Sequence, residues 1–120
     1  MTISTSNITS HNGTLTTHSF YILLALADRN LHGYGIRSQI AQDSGGKIII
    51  APGTLYPALK RLVDNQLIEP AIYDGFSPNI KTRYRITDNG QRTLKAEAIR
   101  LSTLSLHARA KLGEQILRHP

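Results

Sequence analysis

The spacing of apolar and polar positions divides the chain into three short helical segments, a β-rich stretch and one long helix. In TTHSFYILLALADRN (16–30), Phe20, Leu23, Leu24 and Ala27 recur at helical intervals and predict one apolar helix face. After a short turn, LHGYGIRSQIAQDSGG (31–46) carries Ile36 and Ile40 four residues apart. Its Gly45-Gly46 pair is a stop signal, because glycine takes the left-handed backbone that ends a helix at little cost. The GYG at 33–35 lacks the following lysine of a phosphate loop and reads as a helix start, with Tyr34 packing against the third helix. KIII (47–50) leads into that third helix.

The third segment holds a contradiction. In PGTLYPALKRLVDNQLIE (52–69), Leu55, Leu59, Leu62 and Val63 fall at helical spacing, yet Pro57 lies inside the run. Proline lacks the backbone donor and crowds the carbonyl four residues earlier. It is harmless if the helix starts at Thr54 and removes one hydrogen bond if the helix starts at Pro52; spacing alone does not choose between them. Projected at about 100° per residue, Leu55, Leu59 and Leu62 form a narrow core stripe. The opposite side carries Thr54, Pro57, Lys60, Arg61 and Asp64, with Tyr56 on its flank. A polar face with two adjacent cations suits a DNA major groove. On an isolated helix an ordinary solvated face is the commoner explanation, so its surroundings decide.

Two strand candidates follow, residues 68–73 and 82–87, joined by the loop DGFSPNIK with Gly75 and Pro78. In the second, Tyr84 and Ile86 share one face while Arg83 and Arg85 share the other. Pro70 requires an edge strand, and in a two-stranded ribbon both strands are edges. Lys81, Arg83 and Arg85 cluster where such a ribbon would run along phosphates. Three helices followed by this basic ribbon describe a mainly α fold with a small β-wing, a winged helix-turn-helix. The expected division is a polar leader at 1–14, the winged helix-turn-helix domain at 15–87 and a dimerisation helix at 88–120.

The last helix carries two apolar arcs. Leu94, Ala98, Leu101, Leu104, Ala108, Leu112 and Ile116 form a broad stripe; Ile99, Leu106, Ala110 and Leu117 form a narrower one about 140° away. From residue 90 to 118 the helix would span about 43 Å. A helix packed on one surface needs one stripe, so the second predicts a partner, most simply the same helix of another subunit. Leu94, Leu101, Leu104, Leu106, Ala108 and Leu112 are therefore the candidate dimerisation residues.

Composition narrows the chemistry. Fourteen Lys and Arg against eight Asp and Glu give a net charge of +6, which points to a polyanionic partner. With no cysteine, disulfides, thiolate metal sites and cysteine nucleophiles are excluded. The five histidines show no metal-binding pair, the carboxylates are dispersed singly, and no enzyme, cofactor or metal site is expected. No apolar run approaches the roughly 18 residues of a membrane span, and MTISTSNITSHNGTLTT has no secretory pattern, so a cytoplasmic protein is expected.

HGYGI (32–36), GTLYPALKRL (53–62), NQLIE (65–69) and TRYRITDNG (82–90), in this order, resemble the PadR-like family of bacterial transcriptional regulators. The likeness spans roughly residues 16 to 90, and GTLYPAL is its most specific string. It implies a homodimeric, sequence-specific winged-helix DNA binder, mostly a repressor on a palindromic operator, with a C-terminal helical dimerisation segment. Carried over by position, it implies DNA contacts at Thr54, Tyr56, Pro57 and Lys60, and on the wing around Lys81 and Arg83. A small-molecule effector at the dimer interface is a further possibility. The chain departs from the pattern in lacking tryptophan, in being short after the wing, and in having Ala51 where a capping Ser or Thr is often expected. The competing reading is a winged-helix protein–protein interaction module, which would more often show apolar or acidic surfaces on the third helix and wing.

Overall fold

The computed structural model of the chain describes residues 15–71 and 82–113. The elements run α1 (Thr17–Ala25), β1 (Leu31–His32), α2 (Gly33–Asp43), α3 (Pro52–Asp64), β2 (Ile68–Pro70), β3 (Arg83–Ile86) and α4 (Asp88–Leu112). The fold is mainly helical, with one small antiparallel sheet and a long last helix. No helix among the described residues is long and apolar enough to cross a membrane.

Local chemistry sets most of the helix ends. Thr16 caps α1 by accepting from Ser19 N at 3.1 Å, and His32 caps α2 through Nδ1, which accepts from Gly35 N at 3.2 Å. Gly45 and Gly46 close α2 at φ 66° and 82°; their amides donate to Gln42 O and Ala41 O, which satisfies carbonyls the helix leaves open. The same closure ends α3 with Gln66 at φ 63°, Leu67 N donating to Leu62 O and Gln66 N to Val63 O. At the start of α4, Thr87 Oγ1 accepts from Gly90 N at 2.9 Å and donates to Gln66 O at 2.7 Å. One hydroxyl thus fastens α4 to the turn after α3.

The core is a single cluster from α1, α2, α3 and the sheet, including Ile22, Leu23, Leu26, Ile36, Ile40, Leu55, Leu59, Leu62 and Ile68. The α1 face is rotated from the one expected. Ser19, Ile22, Leu23 and Leu26 are buried, whereas Leu24 and Ala27 are exposed and Phe20 is half-buried. The run Tyr21–Ala27 is apolar all round, so periodicity alone could not orient it.

The sheet has three strands rather than two, in the order β1-β3-β2. Leu31 pairs with Tyr84 and His32 with Arg83, on the side of β3 away from β2. A two-residue strand is too short to show any period in sequence. Pro70 lies on β2, which pairs with β3 alone and is an edge, as its missing donor requires. Along β3, Ile86 is buried and Tyr84 half-buried, while Arg83 is exposed.

Candidate nucleic-acid interface

α3 begins at Pro52, which resolves the question of its start. Ala51 is the cap residue and offers no side-chain hydrogen bond, so Pro52 takes the first helical position, where its absent donor is not missed. Pro57 therefore sits inside the helix and removes the donor that Gly53 O would otherwise receive. Leu55, Ala58, Leu59 and Leu62 are buried, so Thr54, Pro57, Lys60 and Asp64 face outward. Lys60 Nζ lies 3.3 Å from Asp64, an exposed pair across one turn of the helix.

Arg61 does not share that open face. It is half-buried, and its Nε is buried with no hydrogen-bond partner among the described residues. At about 100° per residue Arg61 projects on a flank of α3 rather than opposite the buried stripe. Tyr56 stands on the other flank, 45% exposed. Its ring lies over Gly33: a Cβ at Gly33 would fall on the Tyr56 hydroxyl and 2.7 Å from Cζ. The residue that α3 meets at the start of α2 is thus Gly33. Tyr34, expected to pack on α3, is 61% exposed and stacks on the His32 ring at a centroid distance of 6.4 Å.

This contact ties α3 to the wing. Gly33 follows His32, and His32 is the register partner of Arg83 on β3. Tyr56, Gly33, His32 and Arg83 therefore form a continuous path from the flank of α3 to the first residue of the central strand. Arg83 is exposed and enters no ion pair among the described residues. Arg85, two residues on, is held at 3.0 Å by Glu69, its cross-strand partner. Sequence spacing placed the two arginines on one face but did not reveal that one of them has a carboxylate opposite. Lys81 lies outside the described residues, as do the loop between the strands and the arc members Ile116 and Leu117.

α4 packs on the domain through Gly90, Leu94 and Glu97. Glu97 is buried, and Arg100 Nε donates to its Oε1 at 3.0 Å. This hydrogen bond with Arg100, opposed by burial, holds the Glu97 carboxyl below its ordinary range. Beyond this point no described member of either apolar arc is buried. Ile99, Leu101, Leu104, Leu106, Ala108 and Leu112 are all exposed on the isolated chain. Sequence reasoning passed over Glu97, although an acid and an arginine three apart on one helix is a readable pairing signal.

A model of the transcriptional regulator PadR-like family matches residues 22–96. Over 84 residues the chain is 39% identical to an uncharacterized 37.1 kDa protein in transposon TN4556 of Streptomyces fradiae. The match covers 70% of this chain and 23% of that protein, so the chain spans under a quarter of its relative. Among solved structures it is similar to a transcriptional regulator from Clostridium thermocellum, at 29% identity and TM-score 0.64, covering 78% of this chain and 86% of that one. It is also similar to Bacillus subtilis PadR in complex with operator DNA, at 28% identity and TM-score 0.61, covering 69% of this chain and 47% of that one.

Proposed function

The chain belongs to the PadR-like family of transcriptional regulators, and from that premise we propose that it is a sequence-specific DNA-binding repressor acting as a homodimer on a palindromic operator. The observation that carries this reading is the outward face of α3, with Thr54, Pro57 and Lys60, joined through Tyr56, Gly33 and His32 to Arg83 on the wing, which is exposed and has no ion pair among the described residues. In this scheme Thr54, Tyr56, Pro57 and Lys60 meet base edges and nearby backbone, while Arg83, with Lys81 and Arg85, tracks phosphates. Arg61 serves as a flanking cation at the edge of this face. That the similar PadR of Bacillus subtilis is described with operator DNA supports the choice of partner.

The second subunit is proposed to cover α4. Leu101, Leu104, Leu106, Ala108 and Leu112, with Leu94 at the junction, offer it an apolar surface that the described residues leave open. A two-fold pair of α4 helices presents two copies of α3, hence the palindrome. An effector, if the operator is regulated by one, is assigned to the hollow of about 290 Å3 between α1 and α4, beside Tyr21, Glu97 and Leu101. Selection of bound sequences from a random duplex pool by the purified chain tests the reading. Enrichment of an inverted repeat is expected; a pool that stays random would favour the protein–protein module instead.

A further inference from the structure

Thr87 joins α3 to α4. α3 closes through Gln66 N, which donates to Val63 O, and Leu67 N, which donates to Leu62 O, so the turn at Gln66 and Leu67 moves with the last turn of α3. Asn65 tightens that turn, its Nδ2 donating to Arg61 O at 2.8 Å. Thr87 then bonds both carbonyls of the turn: its backbone N donates to Leu67 O at 3.1 Å and its hydroxyl to Gln66 O at 2.7 Å. The same hydroxyl accepts from Gly90 N, inside α4, at 2.9 Å. Hydrogen bonds therefore run without a break from the carbonyls of α3 to the first turn of α4.

The backbone bond and the burial of Ile86 fix where α4 begins. The hydroxyl bonds govern its tilt, because they connect a point within the helix to a point on the α3 turn. Farther along, an open hollow of about 290 Å3 lies between α4 and α1 beside Phe20, Tyr21 and Leu101, and leaves the shaft room to swing. The arm is long. From Gly90 to Leu106, within the proposed contact with the second subunit, α4 spans about 24 Å, so a tilt of about 8° displaces α3 by about 3.4 Å, one base-pair step.

We propose that the Thr87 hydroxyl is the positioning group that sets the separation of the two α3 helices, and hence the half-site spacing the protein accepts; the proposal rests on the reading above of a homodimer on an inverted repeat. A helix cap needs only an acceptor. The donor half of this hydroxyl, aimed at Gln66 O, adds nothing to the cap and instead links α4 to α3. Thr87 touches no base in this scheme and acts through the angle at which α4 leaves the domain.

Three substitutions separate the two roles. Thr87→Asp keeps the cap, since a carboxylate accepts from Gly90 N, but has no proton for Gln66 O. Thr87→Val removes both bonds at nearly unchanged shape, and Thr87→Ser keeps both. Each full-length variant is titrated against the selected inverted repeat and against the same repeat with one base pair added or removed between the half-sites, with sedimentation reporting the dimer. The readout is a ratio of affinities, so a uniform loss from added negative charge cancels. Wild type and Thr87→Ser are expected to prefer the native spacing by about tenfold or more, the scale of one wrong base pair. Thr87→Val and Thr87→Asp are expected to remain dimers and to bind all three spacings nearly alike. If either retains the wild-type ratio, or loses it only by becoming a monomer, the proposal is overturned. A wild-type chain that binds the inverted repeat yet ignores spacing also overturns it, while the DNA reading stands. A chain that enriches no inverted repeat overturns both.

Discussion

Replacing Gly90 by alanine probes the contact that seats α4 on the domain. A Cβ there would fall on the Leu67 carbonyl oxygen and lie 2.8 Å from Ile86 Cγ1. That carbonyl is fixed, because it accepts from Thr87 N at 3.1 Å while the Thr87 hydroxyl bonds both Gln66 O and Gly90 N. The obstacle is backbone, so α4 must lift. Two effects oppose each other. Alanine favours a helix over glycine by about 1 kcal/mol. Overpacking against fixed atoms costs about 1–3 kcal/mol, and loosening the Thr87 cap about 1 kcal/mol more. Strain wins, for a net loss of about 1–3 kcal/mol, and at about 4–8 °C per kcal/mol for a domain of this size Tm should fall by about 4–24 °C. Thermal and urea unfolding followed by circular dichroism would measure it, at one protein concentration because a dimer melts with mass action. Gly53→Ala is the control, since a Cβ there meets nothing within 4 Å. That variant should be neutral or gain up to about 1 kcal/mol. If Gly90→Ala melts at or above wild type, the close approach of α4 to Leu67 is refuted.

Gly33→Ala should leave Tm nearly unchanged, because the obstacle is the end of the half-exposed Tyr56 side chain, yet lose operator discrimination as that ring swings away; operator and random duplexes compared at one salt concentration show it. Arg83→Ala should weaken binding to all duplexes alike, whereas Lys60→Ala or Tyr56→Ala should weaken the operator more; the reverse pattern would exchange the roles of wing and helix. Leu101→Asp with Leu106→Asp should sediment as a monomer and lose operator binding together, and a dimer that still binds would move the interface elsewhere. Glu97 has a folded-state pKa below its ordinary value, so its contribution to stability is present above the usual carboxylate range and is lost as pH falls through the lowered value. Glu97→Gln should therefore flatten the acid limb of the stability profile, read by urea midpoints from neutral to acid pH.

Legibility in the sequence followed the strength of local signals. α2, α3 and the body of α4 were readable because amphipathic spacing and turn residues agree, with Gly45-Gly46 ending α2 as expected and Ile86 turned inward on β3; α4, expected to run to residue 118, instead stops at Leu112, where Gly113 takes φ 86°. The face of α1 was not, because Tyr21–Ala27 is apolar in every direction and only tertiary packing selects Ile22 and Leu26. β1 was invisible, since two residues have no period and their pairing depends on Tyr84 and Arg83 far along the chain. At the candidate site, residue types on α3 were legible, but partners were not: the Glu69 opposite Arg85, the buried Nε of Arg61 and the seat of Tyr56 on Gly33 all arise from contacts between distant segments.

The central claim is that α3 and the wing of a dimer recognise one DNA sequence. It is tested most directly by equilibrium binding of the full-length chain to its selected duplex and to a scrambled duplex across a salt series. With Lys81 and Arg83 from two subunits on phosphates, the log–log salt slope should reach a magnitude of about 3 to 4, and the selected duplex should bind about a thousandfold tighter or better. A flat slope, or equal affinity for the two duplexes at every salt concentration, would contradict the account.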